Sequence, residues 1–247
     1  REKLARLLGT TADRIAITHN TSEGINTIAH GFPFKPGDRI LTAGKEYPAN
    51  IFPWMNLAGR GVHLDLVAEE PDGSLPPEKF AAALRPETAL ISVSFVQWCS
   101  GYRVELAALA ELAHAHGIPL VVDGAQGVGA LALDVEAAGI DALAWPAWKW
   151  LWGPLGLGFL WMKPEFMARI TPPFVGADGV APTGDPLSYQ LTPAPGMLRF
   201  EYATKNYGDI IVFDRSLDLT LEAGLGRIEK ELLEVTDALR RAVGSAG

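Results

Sequence analysis

Residues 104–126 read VELAALAELAHAHGIPLVVDGAQ, and this stretch decides the fold. Leu106, Leu109, Ala110 and Ala113 recur on one helix face while Glu105 and Glu111 fall elsewhere, so Val104–His116 is predicted to be a helix lying on a sheet. Gly117 followed by Pro119 ends it. Pro119–Asp123 is then a short apolar run, the length of a strand, closed by an acid. A helix that hands over to a fully apolar strand is the repeating unit of a parallel sheet.

The unit recurs in both directions. Apolar runs at Arg14–Thr18, Arg39–Thr42, Val62–Val67, Ala89–Val93, Asp141–Trp145 and Gly158–Met162 are separated mostly by helical stretches, such as Ser22–His30, Ile51–Ala58 and Pro77–Leu84. The alternation predicts an α/β fold, a mainly parallel seven-stranded sheet with helices on both faces. Thr21 or Ser22 is expected to cap Glu23–His30. Residues 171–195 depart from the pattern: Pro172, Pro173, Pro182, Pro186, Pro193 and Pro195 mark a long irregular excursion over the surface. Gly208–Val243 reads as helix, glycine break, helix, with Leu225, Ile228, Leu232, Val235 and Leu239 spaced for one buried stripe. The expected organisation is a large domain over residues 1–223 and, over 224–247, a helix leading towards a small carboxyl-terminal domain that is largely absent.

Composition removes several function classes. Lys and Arg number 21 against 29 Asp and Glu, a net charge of −8 that repels a polyanion, so no nucleic acid is expected as partner. The 48 % of hydrophobic residues suffices for a core and excludes disorder as the main state. Cys99 is the single cysteine and can form neither an intramolecular disulfide nor a thiolate metal site, which makes a reducing cytoplasm the default location. No run has the length of a membrane span, and Arg1-Glu2-Lys3 lacks the apolar core of a signal peptide. Glu2–Leu8 looks like a helix already under way, so a preceding segment is expected. The five histidines show no metal-ligand spacing, and no metal is implied.

In an open parallel sheet, ligands sit at the carboxyl ends of the strands. Residues there include His19-Asn20-Thr21-Ser22-Glu23-Gly24, Lys45-Glu46-Tyr47-Pro48-Ala49-Asn50, Gln97-Trp98, Asp123-Gly124-Ala125-Gln126 and Lys149. Asp123 closes an apolar strand and needs a cation or hydrogen bonds; capping the next turn through Ala125 or Gln126 would suffice structurally. Lys149 lies among Trp145, Trp148, Trp150 and Trp152, where loss of hydration favours the neutral, nucleophilic amine; a lysine snorkelling out of an aromatic patch is the bland alternative. Thr21-Ser22 at a strand-to-helix junction suits a phosphate monoester or a simple cap. Gly153–Gly158 lacks the Gly-Lys-Ser/Thr ending of a phosphate loop, and Gly124–Gly129 lacks dinucleotide spacing. Arg103 could bind a carboxylate but is read as a helix-start arginine that tethers a loop, and Cys99 is read as a buried strand-end residue.

Together these residues resemble the class V, fold-type I pyridoxal-phosphate enzymes, which include aminotransferases, cysteine desulfurases and isopenicillin-N epimerase-like proteins. The motifs that carry the resemblance run from about Asn20 to Asn206: Asn20–Asn26, Glu46–Asn50, Val122–Gln126, Lys149-Trp150-Leu151 with Gly153-Pro154, Gly156 and Gly158, and Arg199-Phe200-Glu201. The resemblance implies the large domain of the pyridoxal-phosphate-dependent transferase fold and an enzyme acting on an amino acid. Lys149 would form the Schiff base and move the α-proton; Asp123 would pair with the pyridinium nitrogen. Gln126 would donate to the ring 3′-oxygen, Tyr47 would stack on the ring, and Thr21 and Ser22 would hold the phosphate. Thr204 would reach the phosphate of a neighbouring subunit, implying a homodimer. Gln97 stands where desulfurases place a substrate-side Asn. Pro146 and Trp148 replace a Ser and a His that often help hold phosphate, so the phosphate must lean on Thr21, Ser22, Thr204 or the Trp148 indole. The expected activity is aminotransferase-like, with cysteine desulfurase, selenocysteine lyase or epimerase as close alternatives. A cofactor-binding dimer without turnover is the alternative of another class.

Overall fold

The computed structural model describes residues 1–185 and 187–244; Pro186, counted above with the excursion, and residues 245–247 lie outside the described residues. The elements in chain order are α1 (Glu2–Leu8), β1 (Ile15–Thr18), α2 (Thr21–Gly31), β2 (Arg39–Ala43), α3 (Phe52–Met55), β3 (His63–Val67), α4 (Pro77–Ala83), β4 (Thr88–Ser94), α5 (Leu106–Ala115), β5 (Leu120–Asp123), β6 (Ala142–Pro146), β7 (Gly158–Met162), α6 (Pro164–Met167), α7 (Tyr207–Ala223) and α8 (Leu225–Gly244). The helix expected over Ile51–Ala58 is α3 continued by a 3-10 turn at Asn56–Arg60.

The seven strands form one sheet in the order β1-β7-β6-β5-β4-β2-β3. β7 is antiparallel to both neighbours, β1 and β6, and the remaining pairs are parallel, so the sheet is mainly parallel as expected. β5, β6 and β7 are buried along their whole length because both faces are covered, and successive residues feed opposite cores, whereas the edge strand β3 keeps His63 and Leu66 exposed. In β6 and β7, Leu143, Trp145, Phe159 and Trp161 join the core under α1, α5 and α7. Ala142, Ala144, Leu160 and Met162 join the core with Ile25 and Ile28 of α2 and Trp54 of α3.

Four sequence readings need correction. The cap of α2 is Asn20, in extended backbone, whose Oδ1 accepts the Glu23 N–H at 2.9 Å; Thr21 and Ser22 are already helical. The stripe on α8 is not buried: Val235 and Leu239 are 68 % and 63 % exposed, because only the first turns of the helix reach the body. Leu232 still packs against the core, and Glu229 anchors the helix by accepting the Ala132 N–H at 2.9 Å and Arg103 at 2.5 Å. Third, Arg103, expected at a helix start to tether a loop, ties α8 instead. Fourth, Cys99 is exposed, since β4 has ended at Ser94 and the chain is turning. The excursion is irregular as expected, with one 3-10 turn at Ala177–Gly179 and a bridge from Val180 to Pro193. No helix among the described residues is long and apolar enough to cross a membrane.

Candidate active site

Parallel strands present their carboxyl ends at one edge, which brings together the segments after Thr18, Ala43, Ser94, Asp123 and Pro146. Register fixes who neighbours whom: Ser94 lies beside Asp123, and Gly158 lies between Thr18 and Pro146. A Cβ at Gly158 would stand 2.7 Å from the Asn20 Cα, so glycine is what lets the turn into α2 rest on the start of β7.

Asp123 is 3 % exposed and its Oδ1 accepts the Ala125 N–H at 2.8 Å, the turn-capping contact that the sequence allowed. Burial pushes this carboxyl up to about 7; the Ala125 N–H opposes the rise, Glu46 adds to it, and the Lys149 charge opposes it. Lys149 moves the other way, its amine lowered by burial and held up by Asp123. Each therefore feels the other across the ends of β5 and β6.

Aromatic rings wall the amine. Lys149 Nζ lies 5.5 Å from the Tyr47 ring centre and 5.4 Å from that of Trp148. Tyr47 packs edge-on against Trp98 at 5.8 Å, and the Trp98 indole N–H is tied to the Lys45 carbonyl at 2.9 Å. Trp150 donates its indole N–H to Gln126 Oε1 at 3.2 Å, which leaves the Gln126 Nε2 as a donor. Trp152 has φ of 59°, unusual for a bulky residue, and its carbonyl accepts the Ser216 hydroxyl at 3.1 Å. An apolar cavity between Trp150, Trp152 and Leu219, Ala223 and Ile228 of α7 and α8 reaches Lys149.

Behind the pair is a buried polar group for which the sequence reading gave no role. Glu46 accepts the Ser94 N–H at 2.6 Å, the Ser94 hydroxyl, and Gln97 Nε2 at 2.9 Å. Burial raises the Glu46 carboxyl, against the hydrogen bonds from Ser94 and Gln97. Asn50 sits below, accepting the Ser92 hydroxyl at 2.6 Å and the Trp54 indole at 3.1 Å. An acid three residues past the end of β2, on the edge where ligands collect, was the available signal for Glu46.

Thr21 and Ser22 form the first turn of α2, where amide N–H groups lack helical acceptors. Thr204 is not gathered with Lys149: it is exposed and lines a separate crevice with Thr18, Glu23 and Gly156. The loop that carries it hangs on buried Glu201, which accepts Arg1 Nη2 at 2.6 Å, the Ile17 N–H at 2.7 Å and pairs with Lys205 Nζ at 2.9 Å. Among the described residues no group of three or more His, Cys, Asp and Glu is placed to hold a metal ion.

Fold and site define an α/β domain with a partly desolvated amine and a buried acid facing one sheet edge. The family model for class-V aminotransferases matches residues 1–246, and the chain belongs to that family. It is 31 % identical over 245 residues to a probable cysteine desulfurase of Methanothermobacter thermautotrophicus, covering 99 % of this chain and 60 % of the relative. It is 34 % identical over 238 residues to a cysteine desulfurase of Klebsiella pneumoniae, covering 93 % and 58 %. Among solved structures, the apo cysteine desulfurase of Thermococcus onnurineus superposes with a TM-score of 0.89 at 29 % identity, over 99 % of this chain and 61 % of that one. The cystine C–S lyase C-DES, in complex with its product cysteine persulfide, gives 0.83 at 28 % identity, over 90 % and 60 %. The chain thus spans about three fifths of the length of the relatives it matches.

Proposed function

We propose that this chain is the cofactor-holding part of a pyridoxal-phosphate-dependent enzyme that acts on an amino acid through Lys149, with cysteine as the substrate class and carbon–sulfur cleavage as the reaction. The observation that carries the reading is a buried acid, 3 % exposed and hydrogen-bonded to the Ala125 N–H, at the same sheet edge as an amine walled by the Tyr47 and Trp148 rings at 5.5 and 5.4 Å; burial raises the acid and lowers the amine. The relatives' names favour sulfur release over amine transfer. A lyase of the same fold, in a variant form, holds glycine covalently linked to the cofactor.

The residues present fit the cofactor. The only hydrogen bond found for Asp123 among the described residues is from a backbone N–H, and a protonated ring nitrogen would supply the charged donor that so buried a carboxyl calls for. When bound, pyridoxal phosphate supplies an aldehyde to the amine and an electron-accepting ring to the substrate α-carbon. Lys149, poorly hydrated, holds more of its neutral form at neutral pH and is the group that takes and returns the α-proton. Asp123 would hold a proton at the ring nitrogen, Gln126 Nε2 would donate to the ring oxygen, and Tyr47 would pack on the ring. Thr21 and Ser22 receive the phosphate at the start of α2, with the Trp148 indole N–H in place of the more usual His. Thr204 serves the same phosphate across a homodimer. Exposed, unpaired Cys99 suits a reducing cytoplasm.

Mixing the chain with pyridoxal phosphate is expected to give a visible absorbance band that Lys149→Ala abolishes; an unchanged band in that variant overturns the reading. With cysteine added, release of sulfur supports the proposed reaction, and keto acid formed without it points to amine transfer. Retained cofactor with no α-proton exchange from any amino acid would mark a binding protein without turnover.

A further inference from the structure

Two glutamines at this edge have their amides pinned in opposite senses. Gln126 Oε1 is occupied by the Trp150 indole, so its Nε2 is left to donate. Gln97 is the reverse: its Nε2 donates to Glu46 at 2.9 Å, and its Oε1 is buried without a hydrogen-bond partner among the described residues. Glu46 Oε1 already receives the Ser94 N–H at 2.6 Å, so it is an acceptor whether or not Oε2, bonded to the Ser94 hydroxyl, carries a proton. Gln97 therefore cannot turn over without setting its carbonyl oxygen against Glu46 Oε1. It is linked to the amine and acid through its neighbours: Glu46, to which it donates, also holds Ser94, which is in register with Asp123, and Trp98, the next residue, packs on Tyr47, whose ring centre lies 5.5 Å from Lys149 Nζ. A buried carbonyl oxygen with no donor is costly, and a ligand that supplies one relieves the cost.

We propose that Glu46 is a positioning residue that fixes Gln97 as a hydrogen-bond acceptor, so that Gln97 serves an N–H or O–H donor of the bound ligand and not a ligand carboxylate. The inference rests on cofactor binding at Asp123 and Lys149. The donor is either the ring hydroxyl of pyridoxal phosphate or the amine of the amino acid, and the substrate carboxylate must find its partner elsewhere. Glu46 meets Ser94 of β4, Gln97 and Asn50. The charged groups around it are Asp123 on β5, Lys149 after β6, which opposes Asp123, and Lys45 on its own loop, which is paired with Glu69 at 2.8 Å.

The test is a double-mutant cycle of Glu46→Gln and Gln97→Met, reading pyridoxal phosphate affinity by quenching of tryptophan fluorescence, without and with cysteine. Each single change is expected to weaken binding about tenfold, and the double no further, since one acts through the other. A loss with cofactor alone identifies the ring hydroxyl as donor; a loss only with cysteine identifies the amine. Additive losses, or no loss from Gln97→Met in either arm, overturn the proposal while leaving cofactor binding intact. Absence of quenching in the unmodified chain overturns both. Should the variants fail to fold, the nitrogen-15 spectrum of the unmodified chain decides: the Gln97 side-chain NH2 should exchange slowly and shift as Glu46 titrates, and a fast-exchanging, pH-insensitive signal refutes the proposal.

Discussion

Lys149 Nζ lies 5.5 Å from the centre of the Tyr47 ring, so the ring both attracts the ammonium and keeps water from it. The attraction favours the charged form by about 0.5–1 kcal/mol for a partly exposed pair. Loss of hydration favours the neutral form and is the larger cause here. Tyr47→Ala should therefore raise the Lys149 pKa towards its ordinary value and slow capture of pyridoxal phosphate near neutral pH. The pH dependence of the capture rate checks this: its midpoint must move alkaline, and an acid shift would refute it.

Asp123 makes the cofactor-free chain less stable as pH rises. Between about pH 4 and about 7 the folded chain keeps a proton on Asp123 that the unfolded chain has lost, so stability declines across that window and levels off above it. The full penalty for a carboxyl moved from 3.8 to about 7 is on the order of 4 kcal/mol as an upper bound. In urea unfolding, Asp123→Asn should match the unmodified chain near pH 3 and exceed it at pH 8. Equal stability at both values would show that the acid is not desolvated.

Glu201 is 3 % exposed and ties three donors together. Glu201→Ala leaves the Ile17 N–H and two cationic side chains without it, and should cost about 3–5 kcal/mol, the range for breaking a buried ion pair. Hydrogen exchange should quicken at Ile17 and across residues 201–206. A melting temperature close to that of the unmodified chain would contradict this.

Gly127 allows the turn after Asp123 to close under Phe95, whose Cδ1 would stand 2.0 Å from an added Cβ. Gly127→Ala is expected to destabilise by about 1–3 kcal/mol through overpacking. Displacing the turn also disturbs the Ala125 contact to Asp123, so cofactor affinity should fall as well. Titration with pyridoxal phosphate beside thermal melting checks both.

The outer half of α8 contributes little to the described body, with Leu239 63 % exposed. Leu239→Lys should alter stability by no more than about 0.5 kcal/mol. It should also lower concentration-dependent self-association on size exclusion. A large loss of stability would mean that the stripe is covered in solution.

Much of this arrangement was legible residue by residue. The seven strands appear within a residue or two of their expected bounds, because a strand buried on both faces must be apolar along its length. Asp123 and Lys149 stood out since an acid and an amine embedded in apolar sequence each conflict with their surroundings. The α8 stripe misled because periodicity shows which face is apolar and not what covers it. Cys99 misled because hydrophobic context near a strand end does not locate where the chain leaves the sheet.

The alternation of elements, the punctuation by Gly117, Pro119 and Gly224, and the chemistry available at each strand end are legible along the chain, since they follow from local sterics and side-chain periodicity. The meeting of Glu46, Ser94, Gln97 and Asp123 is a product of the folded sheet. Their contact depends on β4 lying between β2 and β5, with Ser94 in register with Asp123. That order is set by how helices of many segments pack over both faces at once, which no single stretch of chain records.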